Sequence, residues 1–187
     1  MPIRPANPAS IQEAAQALAA GALVGMPTET VYGLAADATN ANAVARIYAA
    51  KGRPHFNPLI AHVPDVEAAR REAMFDARAE ALAARFWPGP LTLVLPARAD
   101  CGVCELARAG LSSIALRAPN HSVAQDLLRA FGKPVAAPSA NISGRLSPTT
   151  AQNVAADLGD ALAIILDAGP CVVGVESTIV GLAPNEP

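Results

Sequence analysis

The chain predicts a single α/β domain with a mixed, twisted sheet and flanking helices. Two observations carry the α/β assignment. Apolar runs of strand length alternate with segments of helical period along most of the chain, and neither an internal repeat nor a long linker interrupts them. The 187 residues also fit one domain of roughly 100–200 residues, long enough to bury a core without metal or disulfide support.

The elements follow in order. Ser10-Ile11-Gln12-Glu13 reads as a capping box opening a helix over 11–20, which Gly21 stops. Leu23-Val24-Gly25-Met26 reads as a short buried strand ended by Pro27. Thr39 or Asn40 caps a helix through about residue 50, with Val44, Ile47 and Tyr48 on its apolar face and Gly52 at its end. A strand is expected over 59–63, helices over 66–73 and 77–86, and strands over 91–95 and 113–117. A helix over 122–131 and a strand over 134–137 come next. Thr149, with Gln152 at the capping-box position, opens a helix through Leu158, and strands over 161–167 and 177–182 complete the series.

Composition narrows the function. Hydrophobic residues make up 52% and charged residues 16%, and about a quarter of the chain is alanine, well above ordinary usage. The net charge of −2 and pI near 5.9 exclude a globally basic nucleic-acid binder but not a local basic groove. No run approaches the ~20 apolar residues of a membrane helix, and the start MPIRPANPAS lacks a signal-peptide core, so a cytoplasmic protein without membrane association is expected. Three cysteines do not suit a disulfide framework. Cys101 and Cys104 have CxxC spacing, but no second half-site completes a zinc centre, and no metal site is expected.

Four loops hold more polar residues, Gly and Pro than connectors need. Residues 27–34, PTETVYGL, place hydroxyls at alternate positions after a strand. Lys51-Gly52-Arg53-Pro54, followed by Asn57-Pro58, sets a point charge and a guanidinium fork at a helix end, a pairing suited to an oligophosphate. A solvated helix C-terminus would also account for these cations. Residues 138–144, PSANISG, and 174–178, GVEST, offer small residues with hydroxyl and amide groups after or before strands, where ordinary turns are the alternative. The chain has no GxxxxGK[ST], GxGxxG or GxSxG, so a nucleotide would bind without a P-loop or Rossmann fingerprint. His55 and His121 read as surface or structural residues.

In this order, 27–34 (PTETVYGL), 51–60 (KGRP..NPLI), 113–117 (SIALR), 139–141 (SAN) and 174–180 (GVESTIV) resemble the YrdC-like family of threonylcarbamoyl-AMP synthases over nearly the whole chain. The resemblance implies a twisted α/β sheet with a large concave face, and a nucleotidyltransferase that forms threonylcarbamoyl-AMP and pyrophosphate from L-threonine, bicarbonate or CO2 and ATP. The product would feed the tRNA machinery that makes N6-threonylcarbamoyladenosine. By motif, Thr30, His62, Arg117 and Ser177 would hold threonine, with Arg117 on its carboxylate. Lys51 and Arg53 would be the catalytic pair on the phosphates. Asn57, Ser113, Ser139, Asn141 and Ser147 would line the ATP site, and Mg²⁺ would arrive with ATP.

Ala35 stands where the family often has Gly. The GVEST ending resembles the longer members, so residues 1–187 are expected to be the catalytic domain, with a C-terminal domain of the full-length protein lying outside them. Two alternative functions remain at this level: a weak RNA-binding module, and a carbamoyl-transfer domain of a larger maturation enzyme.

Overall fold

The computed structural model describes residues 3–54 and 56–182, so residues 1–2, His55 and residues 183–187 lie outside the described residues. Its strands are β1 (Ile3–Pro5), β2 (Val24–Met26), β3 (Gly33–Asp37), β4 (Ile60–His62), β5 (Leu91–Pro96), β6 (Ser113–Arg117), β7 (Val135–Ala136), β8 (Ile164–Asp167) and β9 (Thr178–Gly181). The helices are α1 (Pro8–Ala19), α2 (Ala41–Lys51), α3 (Val66–Glu72), α4 (Ala77–Phe86), α5 (Ser122–Phe131) and α6 (Ala151–Leu158). The strands form one mixed sheet in the order β1-β8-β2-β3-β7-β4-β6-β5-β9. The expected α/β class and mixed sheet are therefore present. None of the described helices is long and apolar enough to cross a membrane.

Three local expectations shift. The first capping box is built one turn earlier: the Asn7 side chain accepts from the N–H groups of Ala9 and Ser10, and Ser10 Oγ accepts from Asn7 N–H. Pro8 then falls at the first helical position, where a missing N–H costs nothing. Thr150, not Thr149, caps α6 by accepting from Asn153 N–H, while Gln152 reaches instead to Asp167. A short 3₁₀ turn over Gly159–Ala161 takes the start of the strand expected from 161.

Two strands were not expected. The edge strand β1 carries Pro5, which edge positions tolerate. The central strand β3 (GLAAD) is buried on both faces, so it has no alternation, and its alanines have low strand propensity. Leu34 and Ala36 join the larger core cluster, built with α2, α3, α4 and α6. Ala35 faces the other cluster, where α1 and α5 pack with Ile11, Leu18, Leu127 and Leu128 over β2, β7 and β8. The alternation is thus between two cores rather than between core and water.

The β2–β8 seam leaves no room for side-chain growth. A Cβ added at Gly25 would lie 2.9 Å from Cγ2 of the fully buried Ile165, its registered partner. Gly25→Ala is expected to destabilise the fold by about 1–3 kcal/mol. Urea unfolding checks this, and an unchanged midpoint would show that the seam can open without cost.

Candidate functional site

Two charge centres stand out, one at the end of α2 and the other at the end of β6. The first begins with Lys51, the last residue of α2. The helix ends because Gly52 takes a left-handed conformation at φ 59°. The Lys51 side chain is 2% exposed, and its ammonium donates to Ser139 O at 2.5 Å, Asn141 O at 2.6 Å and Asn141 Oδ1 at 3.4 Å. Ser143 N–H in turn donates to Lys51 O. Burial, with the neighbouring Arg53 charge, lowers the Lys51 pKa to about 8.

Arg53 lies on the same loop, donating from Nη2 to Pro58 O at 3.2 Å and from Nε to Asn57 O at 3.4 Å. Lys51, Arg53, Asn57, Ser139, Asn141 and Ser147 line one groove of about 300 Å³. Most of the residues expected to bind ATP are thereby brought together. Ser113 is the exception: it is buried at the start of β6, opposite Pro96, and does not line the groove. Ser143, Arg145 and Glu176 also line it and were not expected. Ser147 Oγ donates to Glu176, tying the 139–147 loop to the segment before β9.

The second centre surrounds Arg117 at the end of β6. Its Nη1 donates to Thr30 Oγ1 at 2.8 Å and its Nε to Gly89 O at 3.3 Å. Its Nη2 lies 2.7 Å from Glu29 Oε1, a charge contact between two buried groups that lacks hydrogen-bond geometry. Thr28 and Thr30 hydroxyls are 2.9 Å apart, and Thr28 Oγ1 donates to Val31 O, which closes the turn. His62, at the end of β4, is registered beside Arg117. Burial, assisted by the Arg117 charge, lowers the His62 pKa to about 3, so the ring is neutral at pH 7. Ser177 shares a 2.7 Å hydrogen bond with the buried Thr92 of β5, the strand paired with β6.

Sequence reasoning noticed Glu29 only as part of its loop and set His121 aside. The structure puts both at this centre: His121 caps α5, and the Glu29 charge raises its pKa against the larger lowering effect of burial. Both Glu29 carboxylate oxygens, Arg117 Nη2, His62 Nδ1 and His121 Nδ1 are buried without a hydrogen-bond partner. Such atoms are costly in a folded interior, so a cluster of them marks a place for a polar ligand. The only sequence signal for Glu29 was a carboxylate flanked by two threonines directly after a buried strand.

The CxxC segment has a local structural role. Glu72 accepts from the Gly102 and Val103 N–H groups at 2.8 and 3.2 Å and from Cys101 Sγ at 3.3 Å, and burial pushes the Cys101 thiol up to about 11.

A mixed sheet with a cationic groove beside a buried carboxylate–guanidinium pair defines an α/β ligand-binding domain that works from loops, without a P-loop. A family profile described as Sua5_yciO_yrdC, telomere recombination, matches residues 16–187, and the chain belongs to this Sua5/YciO/YrdC family. It is 47% identical over 182 residues to the threonylcarbamoyl-AMP synthase of Bacillus subtilis, covering 97% of this chain and 52% of that protein. It is 48% identical over 178 residues to the enzyme of that name from Pyrococcus abyssi, covering 95% and 52%. The structure of P. abyssi Sua5 complexed with L-threonine superposes with a TM-score of 0.91 at 46% identity, covering 96% of this chain and 53% of that one. The chain spans about half the length of these curated relatives.

The buried neutral His62 has a consequence for stability. Below its unfolded value of about 6.5 the unfolded chain takes a proton that the folded ring refuses, down to about 3. Its stabilising contribution is thus complete above about pH 6.5 and is lost as the pH falls. Between pH 7 and pH 5 the protein should lose about 2 kcal/mol more stability than His62→Asn. Urea midpoints at the two pH values measure the difference, and parallel losses would mean that the folded ring accepts the proton.

Proposed function

We propose that the chain is the catalytic domain of a threonylcarbamoyl-AMP synthase. The single observation that carries the reading is the adjacency of its two charge centres. Ala140 N–H donates to Tyr32 O at 2.8 Å, which stitches the loop lining the cationic groove to the loop bearing Glu29 and Thr30. A zwitterionic amino acid and a polyanion would thereby lie side by side. The relatives' name supplies the product, and the threonine in the P. abyssi Sua5 complex supplies the amino acid.

In this reading L-threonine, bicarbonate and ATP give threonylcarbamoyl-AMP, pyrophosphate and water. The amine captures CO2 as a carbamate, whose oxygen attacks the α-phosphorus while pyrophosphate leaves. Such a transfer needs alignment and charge neutralisation more than a covalent nucleophile. Arg117 would pair with the threonine carboxylate, with Thr30, His62 and Ser177 contributing polar contacts. Lys51 and Arg53 would hold the phosphates. An ammonium has three protons, and those of Lys51 already have acceptors. A phosphate oxygen would displace the long contact to Asn141 Oδ1 and leave the two short carbonyl bonds in place. Asn57, Ser139, Asn141 and Ser147 would line the nucleotide, and Ser113 would act through β6 rather than from the groove.

No cluster of three or more candidate metal ligands occurs among the described residues. Mg²⁺ would therefore be carried by phosphate oxygens and water, where it neutralises the departing pyrophosphate. A separate tRNA-modifying transferase in the cytoplasm would consume the product.

Pyrophosphate release from ATP with bicarbonate and Mg²⁺ should depend on L-threonine and be weak with L-serine. Release that ignores threonine overturns the assignment. Arg53→Ala should lower the rate by about 10²-fold and move the unfolding free energy by less than about 0.5 kcal/mol. A second expectation concerns pH. ATP affinity of the free protein should weaken as the pH rises through about 8 and Lys51 loses its proton. Calorimetric titrations at pH 7 and pH 9 test this, and equal affinities would separate Lys51 from phosphate binding.

A further inference from the structure

The carbamate step releases two protons. The ammonium must lose one before its nitrogen can attack, and the nitrogen sheds another as the N–C bond forms. On the reading given above, a synthase therefore needs an acceptor beside the threonine amine, and none of Thr30, His62, Arg117 or Ser177 supplies a basic carboxylate there. Glu29 does. Its side chain is about 10% exposed, and both oxygens are buried without a donor, although one of them faces Arg117 at 2.7 Å. The Glu29 backbone is fixed by Val173 N–H at 2.9 Å, and its neighbour Thr30 accepts from Gly174 N–H and from Arg117. The carboxylate is thus held rigidly in the centre that would take the amino acid, with lone pairs to spare.

Three titratable or charged groups are set against Glu29. Arg117 approaches from β6, His121 from the N-terminal cap of α5, and Cys171 from the loop after β8. Burial, more than the Glu29 charge, pushes the Cys171 thiol up, so it carries no charge at pH 7. His121 is half-buried with an unpartnered Nδ1, and burial keeps it predominantly neutral.

We propose that Glu29 is the catalytic base of carbamate formation. The Glu29 carboxylate takes one proton from the threonine ammonium, leaving a neutral amine, and that proton passes to solvent, which restores the carboxylate. The amine lone pair then forms the N–C bond to CO2, a C=O π pair moves onto oxygen, and Glu29 accepts the second N–H proton. The step ends with threonine carbamate and protonated Glu29, which returns its proton to solvent before the next turnover. Burial favours the first transfer, because ammonium and carboxylate become neutral partners away from water.

The test uses Glu29→Gln and Glu29→Asp in the full chain, with unfolding midpoints measured alongside. Threonine-dependent pyrophosphate release at pH 7 should fall at least 100-fold in Glu29→Gln and be partly restored in Glu29→Asp, with the KM for ATP unchanged. In Glu29→Gln the rate should climb back toward the parent's as pH and bicarbonate are raised, because threonine carbamate then forms in solution without the base. Loss of activity at every pH and bicarbonate concentration would make Glu29 a structural residue and overturn the proposal, as would a fully active Glu29→Gln. A parent protein with no threonine-dependent release overturns the function itself, an outcome distinguishable from a failure confined to the variants.

Discussion

A buried stretch of backbone must find a partner for every N–H and C=O it carries. Residues 23–38 are buried without a break, and six of them, from Pro27 to Tyr32, belong to a turn between β2 and β3. Their polar groups are satisfied by segments far away in sequence. Tyr32 N–H donates to Pro148 O, Ala140 N–H to Tyr32 O, and the Val173 and Gly174 N–H groups to Glu29 O and Thr30 O. The Tyr32 hydroxyl adds a 2.7 Å bond to Gly169 O, and burial pushes its pKa up to about 12. The loops that line the two charge centres are the loops that pair this turn. The same bonds that make its burial tolerable also assemble the site.

The two centres handle charge differently. The Lys51 ammonium is neutralised by carbonyl dipoles, and its lowered pKa reflects the cost of taking a compact cation out of water. Arg117 instead faces a full negative charge on Glu29 as well as neutral acceptors on Thr30 and Gly89. Removing one member of such a buried pair leaves the other uncompensated, at a cost of about 3–5 kcal/mol. A ligand carrying both charges satisfies the unpartnered atoms of both residues together. Five of the buried polar atoms without a hydrogen-bond partner belong to Glu29, Arg117, His62 and His121 at this centre.

The sequence made legible those elements whose signals are local. The ends of α2 followed from Asn40 and Gly52, and α3, α4 and α5 from apolar period and acidic or Gly boundaries. The strand β3 was hidden because both of its faces are buried, and because Gly and Ala carry no strand signature. The capping errors at Asn7 and Thr150 came from neighbouring residues of equal capping ability, a choice that tertiary packing decides. The groove was legible through Lys51, Arg53, Ser139 and Asn141 as members of an ordered series of motifs, since each alone suits an ordinary turn or helix end. Glu29 and His121 were not, since what distinguishes them is the absence of a hydrogen-bond partner after folding, a property no spacing records.

The strand order has a consequence for how the chain is made. β8 is inserted between β1 and β2, and it is parallel to both. β1 has no other partner, and β2 has one open edge until β8 arrives. At about 5–20 residues per second, the ribosome needs roughly ten to thirty seconds to reach β8 after finishing β2. For that interval a short apolar edge stays unpaired, while β2 and β3 can already form their antiparallel ladder. Nascent chains shielded by a holdase during this window would have the most to gain, because the first-made strand β1 can join the sheet only after the late-synthesised β8 is in place.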